Sequence, residues 1–191
     1  AYCIGDQPFA LANLPPFSDL PPFCWAQLSQ FPQYHMLKYV NHDIVFQEFP
    51  DEVTLAINLS RCPCACPGCH STYLWGDNGE ELTLDRLRAL AEHYGTTITC
   101  LSLMGGDNDP RSVLALLATI REEYPHLHTG WYSGRDQLPL FFTEYTPPTY
   151  VKIGAWRAEL GPLSSSSTNQ RLYRYDINGK SEDITHRFWK K

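Results

Sequence analysis

Four of the chain's seven cysteines, Cys62, Cys64, Cys66 and Cys69, fall within eight residues, Cys62-Pro-Cys-Ala-Cys-Pro-Gly-Cys69. Thiols this close in sequence rarely pair with one another in a folded domain. They suit metal binding in a reducing cytosol better than a disulfide framework. Zinc is one ion they could take. Structural zinc sites usually draw two pairs of ligands from separated segments, so that four thiolates surround the ion. Here every candidate sits in one tight loop and no second CxxC occurs. A four-thiolate knuckle built from eight residues is strained, so zinc fits the pattern poorly.

A reading with three ligands is easier to build. Cys62-x3-Cys66-x2-Cys69 resembles the CxxxCxxC signature of the radical S-adenosylmethionine (SAM) superfamily. Most iron–sulfur cubes are closed by four cysteines, whereas three thiolates leave one iron of a [4Fe–4S] cluster open to another ligand. Cys64 is read as a small non-ligating residue, since free cysteine commonly behaves as a small hydrophobe. Met104-Gly-Gly-Asp107 resembles the glycine element by which the family holds the SAM methionyl amine. Glycines let the backbone approach a ligand, and Asp107 adds an acceptor for an ammonium group. Thr129-Gly-Trp-Tyr-Ser-Gly134, Tyr150-Val-Lys-Ile-Gly154, Gly161-Pro-Leu163 and Thr168-Asn-Gln-Arg171 are similar to segments of the activases of anaerobic ribonucleotide reductase. The likeness runs from about Met36 to Arg174. Met104 and Gly68 depart from the wider superfamily, which more often has a small polar residue and an aromatic at those places.

The resemblance implies a fold, a chemistry and a partner. The fold is α/β, an abbreviated open (β/α) partial TIM barrel of the radical SAM type. Cys62, Cys66 and Cys69 hold the cluster, and Gly68, Cys69, His70, Gly105, Gly106 and Asp107 line S-adenosyl-L-methionine. One electron from the cluster cleaves SAM to methionine and a 5′-deoxyadenosyl radical, which removes a hydrogen from a glycine of anaerobic ribonucleoside-triphosphate reductase. A low-potential donor such as flavodoxin or ferredoxin supplies the electron. No catalytic acid–base pair is required, because the cofactors carry the hard chemistry. Two rivals stand beside this reading: a radical SAM enzyme acting on a small molecule, and a zinc-binding module without catalysis.

The elements around these motifs alternate. Val53 to Leu59 is rich in β-branched residues and runs straight into the cysteines, and Asp43 to Phe49 alternates weakly before it. Thr83 is placed to cap a helix to Tyr94, with Leu84, Leu87, Leu90 and Ala91 on one face and Gly95 at its end. Thr97 to Leu103 reads as a strand, and Pro110 opens a helix with Val113, Leu116, Leu117 and Ile120 buried. His128 to Tyr132 and Tyr150 to Ile153 read as further strands, and Asn178-Gly179 as a two-residue hairpin turn. Such alternation predicts parallel strands with right-handed crossovers, whose ligands gather at the strands' carboxyl ends. The cysteine loop and Gly105-Gly106 both occupy such ends.

Residues 1–35 read differently, with Pro15-Pro16 and Pro21-Pro22 and no periodic pattern. They are expected to be a proline-rich extension outside the native domain, and residues 36–191 the radical SAM domain. Cys3 and Cys24 there, and Cys100 within a strand, carry no assigned role. The seven histidines show no mutual metal spacing, and His70 is expected to pack beside the site rather than ligate. The formal net charge of −6 and scattered Lys and Arg argue against phosphate-driven nucleic-acid binding. No apolar run approaches the ~20 residues of a membrane span, and no signal peptide is recognised, so a cytoplasmic location is expected. A chain beginning at Met36 is expected to fold and take up iron as the full chain does. Iron and sulfide analysis after anaerobic reconstitution checks this, and loss of the cluster would make residues 1–35 structural.

Overall fold

The computed structural model describes residues 36–189; the proline-rich segment 1–35, with Cys3 and Cys24, and Lys190 and Lys191 lie outside the described residues. The described chain is a mixed α/β structure on one eight-stranded sheet. The strands are β1 (Lys38–Val45), β2 (Thr54–Leu59), β3 (Glu80–Glu81), β4 (Cys100–Met104), β5 (His128–Tyr132), β6 (Tyr150–Ile153), β7 (Arg171–Tyr175) and β8 (Ser181–Asp183). The sheet order is β3-β1-β2-β4-β5-β6-β7-β8. Its centre, β2-β4-β5-β6, is parallel, as the sequence predicts, and both flanks are antiparallel.

The two α-helices lie in the crossovers. Helix α1 (Leu84–Tyr94) begins where the Thr83 side chain accepts the Arg86 N–H and stops at Gly95. Helix α2 (Pro110–Glu123) begins with Asp109 accepting from Ser112 N–H, with proline in the first turn, where its missing N–H costs nothing. The β5–β6 connection has only a short 3₁₀ turn, Leu140–Glu144. Leu87, Leu90, Val113, Leu114, Leu117, Ile120 and Phe142 from these connections pack with Leu55, Ile57, Leu59, Leu101, Leu103, Trp131 and Val151 of the strands. Alternation along β-strands sends those strand residues to one face. All three connections therefore cover the same side of the sheet.

A smaller apolar cluster fills the other side, where Phe49, Cys100, Tyr150, Leu163, Leu172 and Ile184 meet. Cys100 is a fully buried thiol held protonated by burial. Phe49 stacks on Tyr150 with ring centroids 4.9 Å apart. Gly130 leaves room for it, since a Cβ there would come within 2.4 Å of the Phe49 ring. Among the described residues, no helix is long and apolar enough to cross a membrane.

Three sequence expectations are corrected. The first strand is Lys38–Val45 rather than Asp43 to Phe49, because Phe49 turns inward from a loop to fill the second cluster. The fourth strand starts at Cys100 rather than Thr97, because a 3₁₀ turn occupies Gly95–Thr97. The last hairpin is wider than a two-residue turn. Pairing ends at Tyr175 opposite Ser181, and Asp176 accepts the N–H groups of Asn178 and Lys180, each at 2.9 Å. The returning strand is Ser181–Asp183, and a 3₁₀ turn, Thr185–Phe188, follows it.

Glu52 clamps the amino ends of the parallel strands. Its buried carboxylate meets His128 Nδ1 at 2.6 Å and accepts from Thr99 Oγ1 at 2.5 Å and Tyr150 Oη at 2.8 Å. Burial alone raises its pKa, but the hydrogen bonds from His128, Thr99 and Tyr150 outweigh it and hold the carboxyl below its ordinary value. A depressed carboxyl pKa adds stability that is present above the unfolded value and lost as pH falls through the folded one. Wild type is therefore expected to lose unfolding free energy more steeply below about pH 4.5 than Glu52→Gln. Denaturant titrations at several acidic pH values check this, and parallel profiles would remove Glu52 from the acid response.

Candidate functional site

The cysteine loop leaves β2 at Ser60 and is closed at its neck. Arg61 N–H donates to Gly76 O and Cys62 N–H to Leu74 O, both at 3.0 Å. Inside, the backbone turns through left-handed conformations at Arg61 (φ 60°), Ala65 (φ 42°) and Gly68 (φ 70°). Only Gly68 takes such a conformation without steric penalty. Cys69 N–H closes a turn on Cys66 O at 3.1 Å. The short 3₁₀ turn Thr72–Leu74 returns the chain and buries Leu74. Three consecutive corners thus wrap the four thiols around one volume instead of along an extended face.

That volume is a cavity of about 250 Å³ at the carboxyl ends of the parallel strands. All four clustered cysteines line it, with Gly105, Asp107, Ser133, Gly134, Lys152 and Trp156. Its floor comes from strand register. Asn58 pairs with Met104, Met104 with Tyr132, and Tyr132 with Lys152. In-register residues of neighbouring strands share a face, and these four all line the cavity. Tyr132 also borders an adjoining groove of about 670 Å³, walled by Phe46, Phe49, Pro50, Leu163 and Phe188.

The cysteines are free and not equivalent. Cys64 lies against Gly134, where an added Cβ would come within 2.7 Å of its sulfur. Its thiol donates to Asp107 Oδ2 at 3.6 Å. Burial first, and then the Asp107 carboxylate, push the thiol up to about 12. Cys69 instead accepts an N–H from Ser71 at 3.4 Å. Among the described residues, no three His, Cys, Asp or Glu side chains converge on a point that would hold one ion. The donor set is soft sulfur, suited to iron–sulfur or zinc and not to hard cations. All four thiols line the cavity, and the Cys64 thiol also donates to Asp107 there.

The other predicted residues divide. Gly105 and Asp107 line the cavity, whereas Gly68, His70 and Gly106 stand outside its wall. A Cβ on Gly68 would meet Trp156 Nε1 at 3.6 Å, and exposed His70 packs its ring on Trp156 at 5.3 Å. Gly106 (φ 85°) serves packing, for a Cβ there would come within 2.4 Å of Val113 and 2.8 Å of Leu59. Gly105 donates to Tyr132 O and accepts from Trp131 Nε1, both at 2.8 Å, so its backbone is held from two sides. Asp107 is buried and ties β4 to the end of β5. It accepts from Ser133 Oγ at 2.6 Å and from Gly134 N–H at 2.8 Å.

Lys152 and Trp156 were assigned no role from sequence. Lys152 donates to Gly154 O at 2.8 Å, and burial lowers its pKa to about 8. A charged residue inside the Tyr-Val-Lys-Ile strand was the available signal, because strands buried on both faces are normally apolar throughout.

No family model matches the chain, and neither a curated protein nor a solved structure matches it.

Asp107→Ala removes the acceptor for Ser133 and Gly134. Bonds to a charged group are each worth about 1.5–3 kcal/mol, so unfolding free energy should fall by at least that amount in urea titrations. Asp107→Asn keeps one acceptor oxygen and should lie between. A midpoint equal to wild type would deny Asp107 any tying role.

Proposed function

We propose that the chain is a radical SAM activase that generates a glycyl radical on a partner enzyme, anaerobic ribonucleoside-triphosphate reductase. One observation carries the reading. The CxxxCxxC loop and the Gly105–Asp107 element, distant in sequence, line one cavity at the carboxyl ends of parallel strands. Ligand sites in such sheets gather there. The finer fold reading is an abbreviated open (β/α) barrel of the radical SAM type. The uninterrupted order β2-β4-β5-β6, with every crossover on one face, supports it, since a doubly wound sheet reverses direction and covers both faces.

In this reading Cys62, Cys66 and Cys69 each hold one iron of a [4Fe–4S] cluster. When bound, that cluster supplies the electron that reductively cleaves S-adenosyl-L-methionine. The chain's own residues bind and orient. Asp107, fixed by Ser133 and Gly134, keeps the ends of β4 and β5 at a set spacing and places a carboxylate in the cavity lining, where it could accept from the methionyl ammonium. Gly105 keeps the backbone close to the ligand without a side chain. Leu59, Leu74, Met104 and Trp75 give the lining its apolar part. A flavodoxin or ferredoxin donor and a cytoplasmic location belong to the same proposal.

The test separates three thiolates from four. Cys62→Ala, Cys66→Ala and Cys69→Ala, reconstituted anaerobically, should each lose iron and yield no 5′-deoxyadenosine. Cys64→Ala should keep four irons and four sulfides per chain and most of its SAM cleavage. Adding the reductase to wild type should then give a glycyl radical signal. A colourless zinc protein, or a Cys64→Ala protein as damaged as the other three, would overturn the reading.

A further inference from the structure

A second cavity, of about 390 Å³, lies at the opposite end of the parallel strands from the cysteines. Strand β5 runs between the two, with His128 lining this one and Tyr132 the other. Three cations, Arg121, Arg174 and Lys180, share the lining with His128. Among the described residues none of the three has a carboxylate within 4.0 Å, whereas Lys38, Arg88, Arg111, Arg157, Arg171 and Arg187 each have one. Asp176 and Glu182 also line the cavity and form no ion pair there. Asp176 Oδ1 accepts the backbone N–H groups of Asn178 and Lys180, and Glu182 stands opposite Arg174 in the β7–β8 register. A concavity with an excess of one sign of charge concentrates ions of the other.

The positive groups are held in place by the fold. Arg121 ends α2, is half-buried and donates to Pro147 O, which occupies one of its five N–H groups. Burial lowers its pKa, so the guanidinium is poorly solvated as it stands. Arg174 pairs with Tyr150 in the β6–β7 register, and residues paired across strands share a face. Tyr150 Oη and His128 Nδ1 meet the same Glu52 oxygen, at 2.8 and 2.6 Å, and their rings pack edge to face with centroids 5.7 Å apart. Tyr150 therefore bridges Arg174 and His128 on one side of the sheet. Glu52 engages the imidazole through Nδ1 and leaves Nε2 as its unbonded nitrogen. An imidazole in its charged form donates from both nitrogens at once. Lys180 adds its ammonium from the β7–β8 turn.

We infer that Arg121, His128, Arg174 and Lys180 form a binding site for a phosphoryl group, carried by inorganic phosphate or a small phosphate monoester. A tetrahedral dianion offers acceptor oxygens in several directions, which suits donors arriving from a helix end, two strands and a turn. A carboxylate offers two oxygens in one plane. Arginine matches phosphate through paired N–H bonds. The site takes no residue from the cysteine cavity, so it stands or falls independently of the proposed function.

The test is calorimetric titration of the full chain with inorganic phosphate and, separately, glycerol 3-phosphate. Ionic strength is held constant, because salt screens exposed charges. Phosphate should bind saturably, and Arg121→Met and Arg174→Met should each weaken it about ten- to a hundred-fold, as expected for the loss of a charge-assisted contact. Lys180→Met should weaken it less, its side chain being exposed. Arg111→Met removes the same charge outside the cavity and should leave the affinity unchanged. Tighter binding of glycerol 3-phosphate identifies a monoester site, and equal or weaker binding a site for the free ion. Urea midpoints report whether each variant folds. If Arg121→Met does not, Arg174→Met decides alone, since its side chain makes no hydrogen bond or ion pair among the described residues. Absence of saturable binding at about 10 mM phosphate overturns the site. Wild-type affinity in Arg174→Met, or equal weakening in Arg111→Met, overturns it as well.

Discussion

The parallel register of β2, β4, β5 and β6 is the constraint on which the candidate site depends. Hydrogen bonding aligns Asn58, Met104, Tyr132 and Lys152 in one row across four strands. A shift of one residue in a strand would replace its member of that row by Leu59, Leu103, Trp131 or Val151, which belong to the core beneath the crossovers. The apolar face fixes the register because slipping would expose it. The polar floor of the cavity is thus set by burial on the opposite side of the same strands. At the other end of the strands, Glu52 joins β5, β6 and the segment before β4, so that the register is pinned at both ends.

Charge is distributed within the cavity with little redundancy. Asp107 is satisfied by two hydrogen bonds from one loop and by the Cys64 thiol. Lys152 and Trp156 remain short of partners. Polar groups buried in a fold are normally paired, so these two donors stand out from that balance. The cysteine loop adds strain to the same region through left-handed backbone at Arg61 and Ala65, residues that carry a Cβ. Such conformations cost of order 1–3 kcal/mol each and persist where surrounding contacts enforce them. The two neck hydrogen bonds from Arg61 and Cys62 are those contacts here.

Elements whose signals are local were legible in the sequence. Thr83 and Gly95 bound α1 as their cap chemistry requires, Pro110 opens α2, and β5 and β6 coincide with the segments read as strands. What failed was non-local. Phe49 supported the appearance of a strand, but its apolar character serves a core completed by Tyr150 and Leu172, far along the chain. Asn178-Gly179 is a strong turn pair, yet the Asp176 carboxylate captures two backbone N–H groups and widens the loop. In the site, the cysteines and Gly105–Asp107 announced themselves by spacing. Gly106 reads as a ligand-approach glycine but answers to Val113 and Leu59. Lys152 gains its meaning only when register places it beside the cysteine loop.

The edges of the sheet complete the physical picture. Strand β3 is the pair Glu80–Glu81 and β8 is Ser181–Asp183, so each edge is short and largely acidic. Short acidic edges of this kind are poor templates for strand addition, although β3 pairs with only Lys38 and Tyr39 of β1. Apolar exposure falls elsewhere. Tyr73 and Trp75 are exposed on the segment that closes the cysteine loop, and Phe46 is exposed on the wall of the groove that shares Tyr132 with the cavity. The same segment that fixes the thiols therefore also carries accessible aromatic surface. A contact made there would bear directly on the loop whose neck holds Cys62 in place.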